Sequence, residues 1–184
     1  MNVTAKLLLS FGILALLSAG CATEPQGNDA KAELNDNSQK ALQRLYAEDT
    51  GLQSFLNNSA GYVIFPTVGK GGIIIAGSYG RGQVYDHGKF VGYSDITQAT
   101  IGAQIGGQSF TELLAFDTQG ALEHYEAGKF AFDATASAVA LKSGAAATAK
   151  YSNGVAAFVE PQGGLMLEAA IGGQSFSFQP EWKQ

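Results

Sequence analysis

The chain is poor in several of the groups that most often carry chemistry. It has one cysteine, Cys21, so no disulfide can form within it and no cysteine cluster can hold a metal. Its two histidines, His87 and His124, lack convergent partners at a metal-ligand spacing. Both read as exposed residues, and no metal or other cofactor is expected. Eleven cations against sixteen acids leave a formal charge of −5, which argues against generic nucleic-acid binding. No GxSxG, no SxxK with SDN, and no GxGxxG leading into a helix is present. Ser109 and Ser175 follow Gly-Gly-Gln and read as strand residues, while Glu112 and Glu168 are single carboxylates without an evident partner. The expectation is a protein that is not an enzyme.

Long hydrophobic runs are missing too. Residues 7–17 (LLLSFGILALL) form the main apolar stretch, too short to cross a hydrocarbon core of ~30 Å as a helix. Preceded by Lys6 and followed by Leu17-Ser18-Ala19-Gly20-Cys21, it has the layout of a removable export signal. The small residues suit a peptidase cleft, and the last five residues match the lipobox of bacterial lipoproteins. That resemblance makes residues 1–20 a signal peptide and Cys21 the lipid attachment site, thioether-linked to diacylglycerol and further acylated with chains such as palmitate. Each buried CH₂ contributes roughly 0.8 kcal/mol, so two or three chains anchor stably. Ala22 after the cysteine implies the periplasmic face of the outer membrane. Processing leaves residues 21–184, without Lys6, at a charge of −6.

Glycine is what the chain has in excess: 24 residues, about twice the ordinary ~7%. They stand between Ile, Val, Phe and Tyr, as in GKGG, GSYGRG and IGGQ. Such placement means tight turns, bulges and close backbone approach in β structure. Residues 22–35 are polar and read as a flexible tether. Asp36 or Ser38, with Gln39 in capping-box spacing, opens a helix expected over 37–57, with Gly51 as a break or stop. Short strands follow: GYVIFP ending at Pro66, GGIIIAG, a hairpin turning at Asp86-His87-Gly88, and an alternating run through Ile101, Ala103 and Ile105. Residues 118–127 read as a short helix. Residues 131–150 are alanine-rich, as in helices, yet alternate as in strands; strands are favoured. The last part, from Gly154, reads as two or three strands turning at Pro161-Gln162-Gly163, with Leu165, Leu167, Ala169 and Ile171 on one face. IGGQSF occurs at 105–110 and again at 171–176. The fold expected is α+β: an N-terminal helix, a glycine-rich antiparallel sheet curved into a partial barrel, and a short additional helix. The domain is expected to run from 36 to 184 after a tether over 21–35.

Two positions are candidate lipid-headgroup contacts. Lys70, in Gly69-Lys70-Gly71-Gly72, could add charge to backbone N–H groups that cradle an anion. The Walker pattern fails there, since Ile64 replaces the first glycine and Gly71 the Ser/Thr, and a tight turn is the favoured reading. Arg81, between Tyr79 and Tyr85, could meet a headgroup, stack on a ring or form a salt bridge.

Taken in order, GYVIFPTVGKGG, GSYGRGQVY, GYSDITQATIGAQIGGQSFTELLAFD, GKFAFDATASAVA and GVAAFVEPQGGLMLEAAIGGQSF resemble the SYLF-domain family over about residues 37–178. The resemblance implies kinship with yeast actin-patch regulators that bind phosphoinositide membranes, and with small bacterial lipoproteins. Here an export signal replaces the cytoplasmic context, no SH3-like stretch is present, and Glu48 and Asp49 offset Lys40 and Arg44 on the first helix. The reading that results is a non-catalytic envelope lipoprotein whose domain binds lipid or the membrane surface; the alternative is an adaptor for another envelope protein.

Overall fold

A computed structural model of the protein describes residues 23–70, 77–99, 109–128, 131–132, 138–162 and 174–181. Cys21, and the expected strand faces at 101–105 and 165–171, lie outside the described residues. Two helices come first, α1 (Asn28–Glu48) and α2 (Leu52–Asn57). Then come β1 (Gly61–Lys70), β2 (Gly77–Asp86), β3 (Lys89–Ala99) and β4 (Ser109–Phe116). After α3 (Gln119–Glu126) come β5 (Ala131–Phe132), β6 (Ala138–Ala140), α4 (Ala145–Thr148), β7 (Val155–Gln162) and β8 (Gln174–Pro180). The α+β class and the helix ahead of the sheet are as expected.

The helical segment differs from its reading. α1 begins at Asn28, so residues 28–35, read as tether, are its first two turns. Gly27, at φ +86°, is the N-cap. The expected capping box lies inside the helix, where Asp36 pairs with Lys40 at 2.6 Å and Gln39 reaches the Tyr85 hydroxyl. The break falls at Asp49, which is extended, buried and fully used. Its carboxylate accepts from Gly51 N at 2.9 Å and from Ala146 N of α4 at 2.6 Å.

The described strands form one sheet in the order β5-β8-β3-β2-β1-β4-β7-β6. All neighbours are antiparallel except β6 and β7, which run parallel and correct the expectation of a wholly antiparallel sheet. A parallel pair needs a crossover of a dozen or so residues, usually helical, and residues 141–154, containing α4, supply it. The 131–150 stretch is thus strand at its start and helix near its end. Pro66 does not end β1. It sits in a bulge, one extra residue between Phe65 and Val68, where a missing N–H does no harm. Pro161 likewise lies within β7 rather than in a turn. The β2–β3 hairpin is as read: His87 (φ +47°) and Gly88 (φ +77°) make a two-residue turn of the type that matches strand twist.

The sheet is strongly curled. Gln174 of β8 and Glu112 of β4 are four strands apart in the sheet order, ~19 Å if it were flat. Their side chains are 2.8 Å apart. Phe65 of β1 and Phe176 of β8 have ring centroids 5.9 Å apart. The concave side holds one core, with Val63, Phe65, Val68, Val84, Ile96, Phe110 and Leu114 meeting Leu122 and Tyr125 of α3. Glycine makes this curl possible. A Cβ on Gly82 would lie 2.4 Å from Ile64 O and 2.7 Å from the Phe65 ring, and one on Gly92 would meet Phe178 at 2.7 Å. The convex side carries a second core, in which Leu42, Leu45, Leu52 and Leu56 of the first two helices cover Ile64, Leu113 and Phe158. No helix among the described residues is long and apolar enough to cross a membrane.

Candidate functional site

The two sequence candidates stand on neighbouring strands, apart in register. Lys70 is the last residue of β1 and stands opposite Ser78, three residues along β2 from Arg81, or ~10 Å. Arg81 projects from the convex face. Its Nε lies 3.1 Å from Asp95 Oδ1, directly across the β2–β3 pair. The Tyr79 hydroxyl donates to the same oxygen at 2.8 Å. Burial, then the bond to Asp95, pushes the Tyr79 phenol up to about 12. Of the three readings of Arg81, this geometry carries the salt bridge. Among the described residues no three His, Cys, Asp or Glu side chains are grouped as metal ligands.

Glu112, read as an isolated strand carboxylate, is fully buried in the concave core. Alternation along β4 puts it on one face with Phe110, Leu114 and Phe116. It accepts from Gln174 Nε2, while its Oε1 has no hydrogen-bond partner among the described residues. Burial, opposed by the Gln174 bond, pushes its pKa up to about 8, so the site favours the protonated acid over the carboxylate. The bond from Gln174 ties β8 to β4 across the core.

The exposed polar grouping lies elsewhere. Where α1 crosses the β1 bulge, an open groove of about 470 Å³ is lined by Asn37, Lys40, Arg44, Thr67, Glu160 and Gln162, among others. Lys40 and Arg44 are four residues apart and so share a helix face. Arg44 Nη2 reaches Glu160 Oε2 and Thr111 Oγ1, each at 3.2 Å. Thr111 in turn donates to Pro66 O and accepts from Gln162, which satisfies the bulge carbonyl. The sequence offset these two cations with Glu48 and Asp49. Asp49 is turned inward onto α4 and takes no part in the surface charge. The i,i+4 spacing of the cations was visible in the sequence; the inward turn of Asp49 was not.

A second grouping had no sequence marker. Thr23 and Pro25, read as tether, are buried. Thr23 Oγ1 is 3.0 Å from Ser177 Oγ of β8. Glu24 N donates to Gln179 Oε1 at 3.2 Å, and Gln179 Nε2 returns a bond to Glu24 Oε2 at 3.0 Å. Lys31 forms an ion pair with Glu24 and lies over the Tyr93 ring of β3, 5.8 Å from its centroid. α1 therefore enters at the β8 side and crosses toward β7, where Arg44 meets Glu160.

No family model matches the chain. Over 150 residues it is 25% identical to "Beta cell expansion factor A" of Aeromonas veronii, a match covering 80% of this chain and 57% of that protein. The chain thus spans little more than half the length of this curated relative. The likeness is distant; it hints at kinship across most of the domain, in keeping with the SYLF resemblance, and does not establish a family.

Proposed function

We propose that the protein is a lipid-anchored envelope protein, without a catalytic role, whose SYLF-like domain binds lipid at the membrane surface. Cys21 carries the acyl chains, and the periplasmic face of the outer membrane is its place. The observation that supports surface binding is the groove over the β1 bulge, with Lys40 and Arg44 on its rim. Both cations have carboxylate partners, Asp36 at an exposed position and Glu160 half-buried beside an exposed Arg44. An exposed pair such as Lys40–Asp36 contributes ~0–1 kcal/mol, so a lipid phosphate can replace that carboxylate at little cost, and the exposed guanidinium of Arg44 can turn to the same phosphate. An Arg fork suits a phosphate bidentately, and Lys adds a mobile point charge. The SYLF resemblance and the distant kinship fit a non-catalytic role.

The test uses the mature chain with Cys21→Ser, which cannot be acylated, in co-sedimentation with vesicles of zwitterionic and of anionic phospholipid. Binding is expected, weakened about tenfold or more by Lys40→Glu with Arg44→Glu, since two charge-assisted contacts of ~1 kcal/mol each are reversed in sign. Failure to bind either vesicle would sink the surface-binding reading. Recovery instead of a stable protein partner by crosslinking in intact cells, independent of lipid, would favour the adaptor reading.

A further inference from the structure

The segment that follows the proposed acylation site is built into the fold. A tether over residues 22–35, if flexible, would let the domain wander ~20 Å from its anchor, since a chain of n flexible residues spans roughly 5–6 Å × √n. The structure takes that slack away. Thr23 is buried and bonded to Ser177, Glu24 exchanges two hydrogen bonds with Gln179, Pro25 is buried, and Lys31 ties Glu24 to Tyr93. Only Ala22 separates Cys21 from the first of these contacts. Two residue steps span at most ~7 Å.

We infer that the β8 end of the convex face, with Thr23, Glu24 and the start of α1, is the side of the domain held against the lipid bilayer, on a leash too short for the domain to leave it. This rests on acylation at Cys21. The polar character of the seat suits a headgroup layer rather than the hydrocarbon: Ser177, Gln179, Glu24 and Lys31 carry its bonds. α1 rises 1.5 Å per residue, so its far end, with α2 beyond, stands ~30 Å from the anchor. The domain consequently works at the membrane that holds it and does not reach across the envelope. Arg44 and Lys40, two-thirds of the way along α1, come to the surface when the helix lies along it. The anchor thereby supplies the orientation in which the groove can meet headgroups.

The experiment uses the full-length, acylated protein reconstituted in phospholipid vesicles. Because Cys21 is the sole cysteine, acylation leaves an introduced cysteine as the one free thiol. Gln26→Cys, near the seat, and Glu123→Cys, on α3 at the opposite face of the sheet, both replace exposed residues. Each is labelled with a thiol-reactive fluorophore and quenched with phospholipid bearing a headgroup nitroxide. Quenching at position 26 is expected to exceed that at 123 several-fold. Thr23→Ala with Glu24→Ala releases the seat, and the difference is expected to shrink toward equality while the circular dichroism of the domain is kept. Equal quenching at the two positions in the parent protein, stronger quenching at 123, or a difference that survives release of the seat would overturn the inference. Fluorophore uptake by the parent protein without an introduced cysteine would show a free Cys21 thiol, and would overturn the acylation reading itself.

Discussion

At the scale of the residue, Glu112 is the most informative group in the chain. It is a carboxylic acid placed where hydrophobic alternation calls for an apolar side chain, opposite Phe65 and Val159 on the neighbouring strands. Its pKa is raised by burial from 4.5 to about 8. In that window the unfolded chain has lost a proton that the folded one keeps, so the unfolded state binds fewer protons and stability falls as pH rises. Below 4.5 both states hold the proton and no cost arises; above about 8 both are ionised and the cost is constant. The maximal slope from this one group is ~1.4 kcal/mol per pH unit. Glu112→Gln keeps the shape and a partner for Gln174 but does not titrate. It is expected to leave stability near pH 4.5 little changed and to raise it on the order of a few kcal/mol at pH 8, as read from urea unfolding at both pH values. Gly82 offers a second check. A methyl group there has no space beneath the Phe65 ring, so Gly82→Ala is expected to cost ~1–3 kcal/mol. The same change at Gly120, where a Cβ meets nothing, is expected to be tolerated in the same denaturation assay.

At the scale of the element, the sequence was legible where local chemistry decides. The β2–β3 hairpin follows from a turn that needs two positive φ values, and His87-Gly88 provides them. α3 follows from Thr118, whose side chain accepts from Ala121 N at 3.2 Å as a helix cap. Long-range contacts hid the rest. Asp49 looks like a charged helix residue. It breaks the helix because its carboxylate is drawn to α4, 97 residues on. Thr23 and Glu24 look like linker, and only β8, more than 150 residues away, gives them a seat. Pro66 looks like a strand stop, and the bulge admits it. Of the site, the cations on α1 could be read from their spacing, whereas the groove needed the bulge of β1 beneath it. The Asp49 bonds can be tested directly. Asp49→Ala leaves Gly51 N and Ala146 N without their acceptor, at a cost of ~1–3 kcal/mol. The denaturation midpoint is expected to fall accordingly, with protection of amides in α4 lost first in hydrogen exchange.

At the scale of the whole molecule, the curl of the sheet and the crossing of α1 act together. The curl brings β8 round to β4, and the Gln174–Glu112 bond joins strands far apart in sheet order. α1 spans the outside of the same sheet, from the seat of Thr23 on β8 to the Arg44–Glu160 contact on β7. One helix thereby links the residues beside the proposed lipid anchor to the groove proposed to meet headgroups. Without the anchor this arrangement has no evident purpose; with it, the domain is presented to the bilayer in a fixed pose. The whole arrangement turns on whether Cys21 is acylated. Mass spectrometry of the N-terminal peptide from protein purified out of intact cells decides this. The expected peptide begins at Cys21 and carries diacylglycerol with or without a further N-acyl chain. A peptide with an unmodified Cys21 thiol, or a mature chain cut at another position, would contradict it.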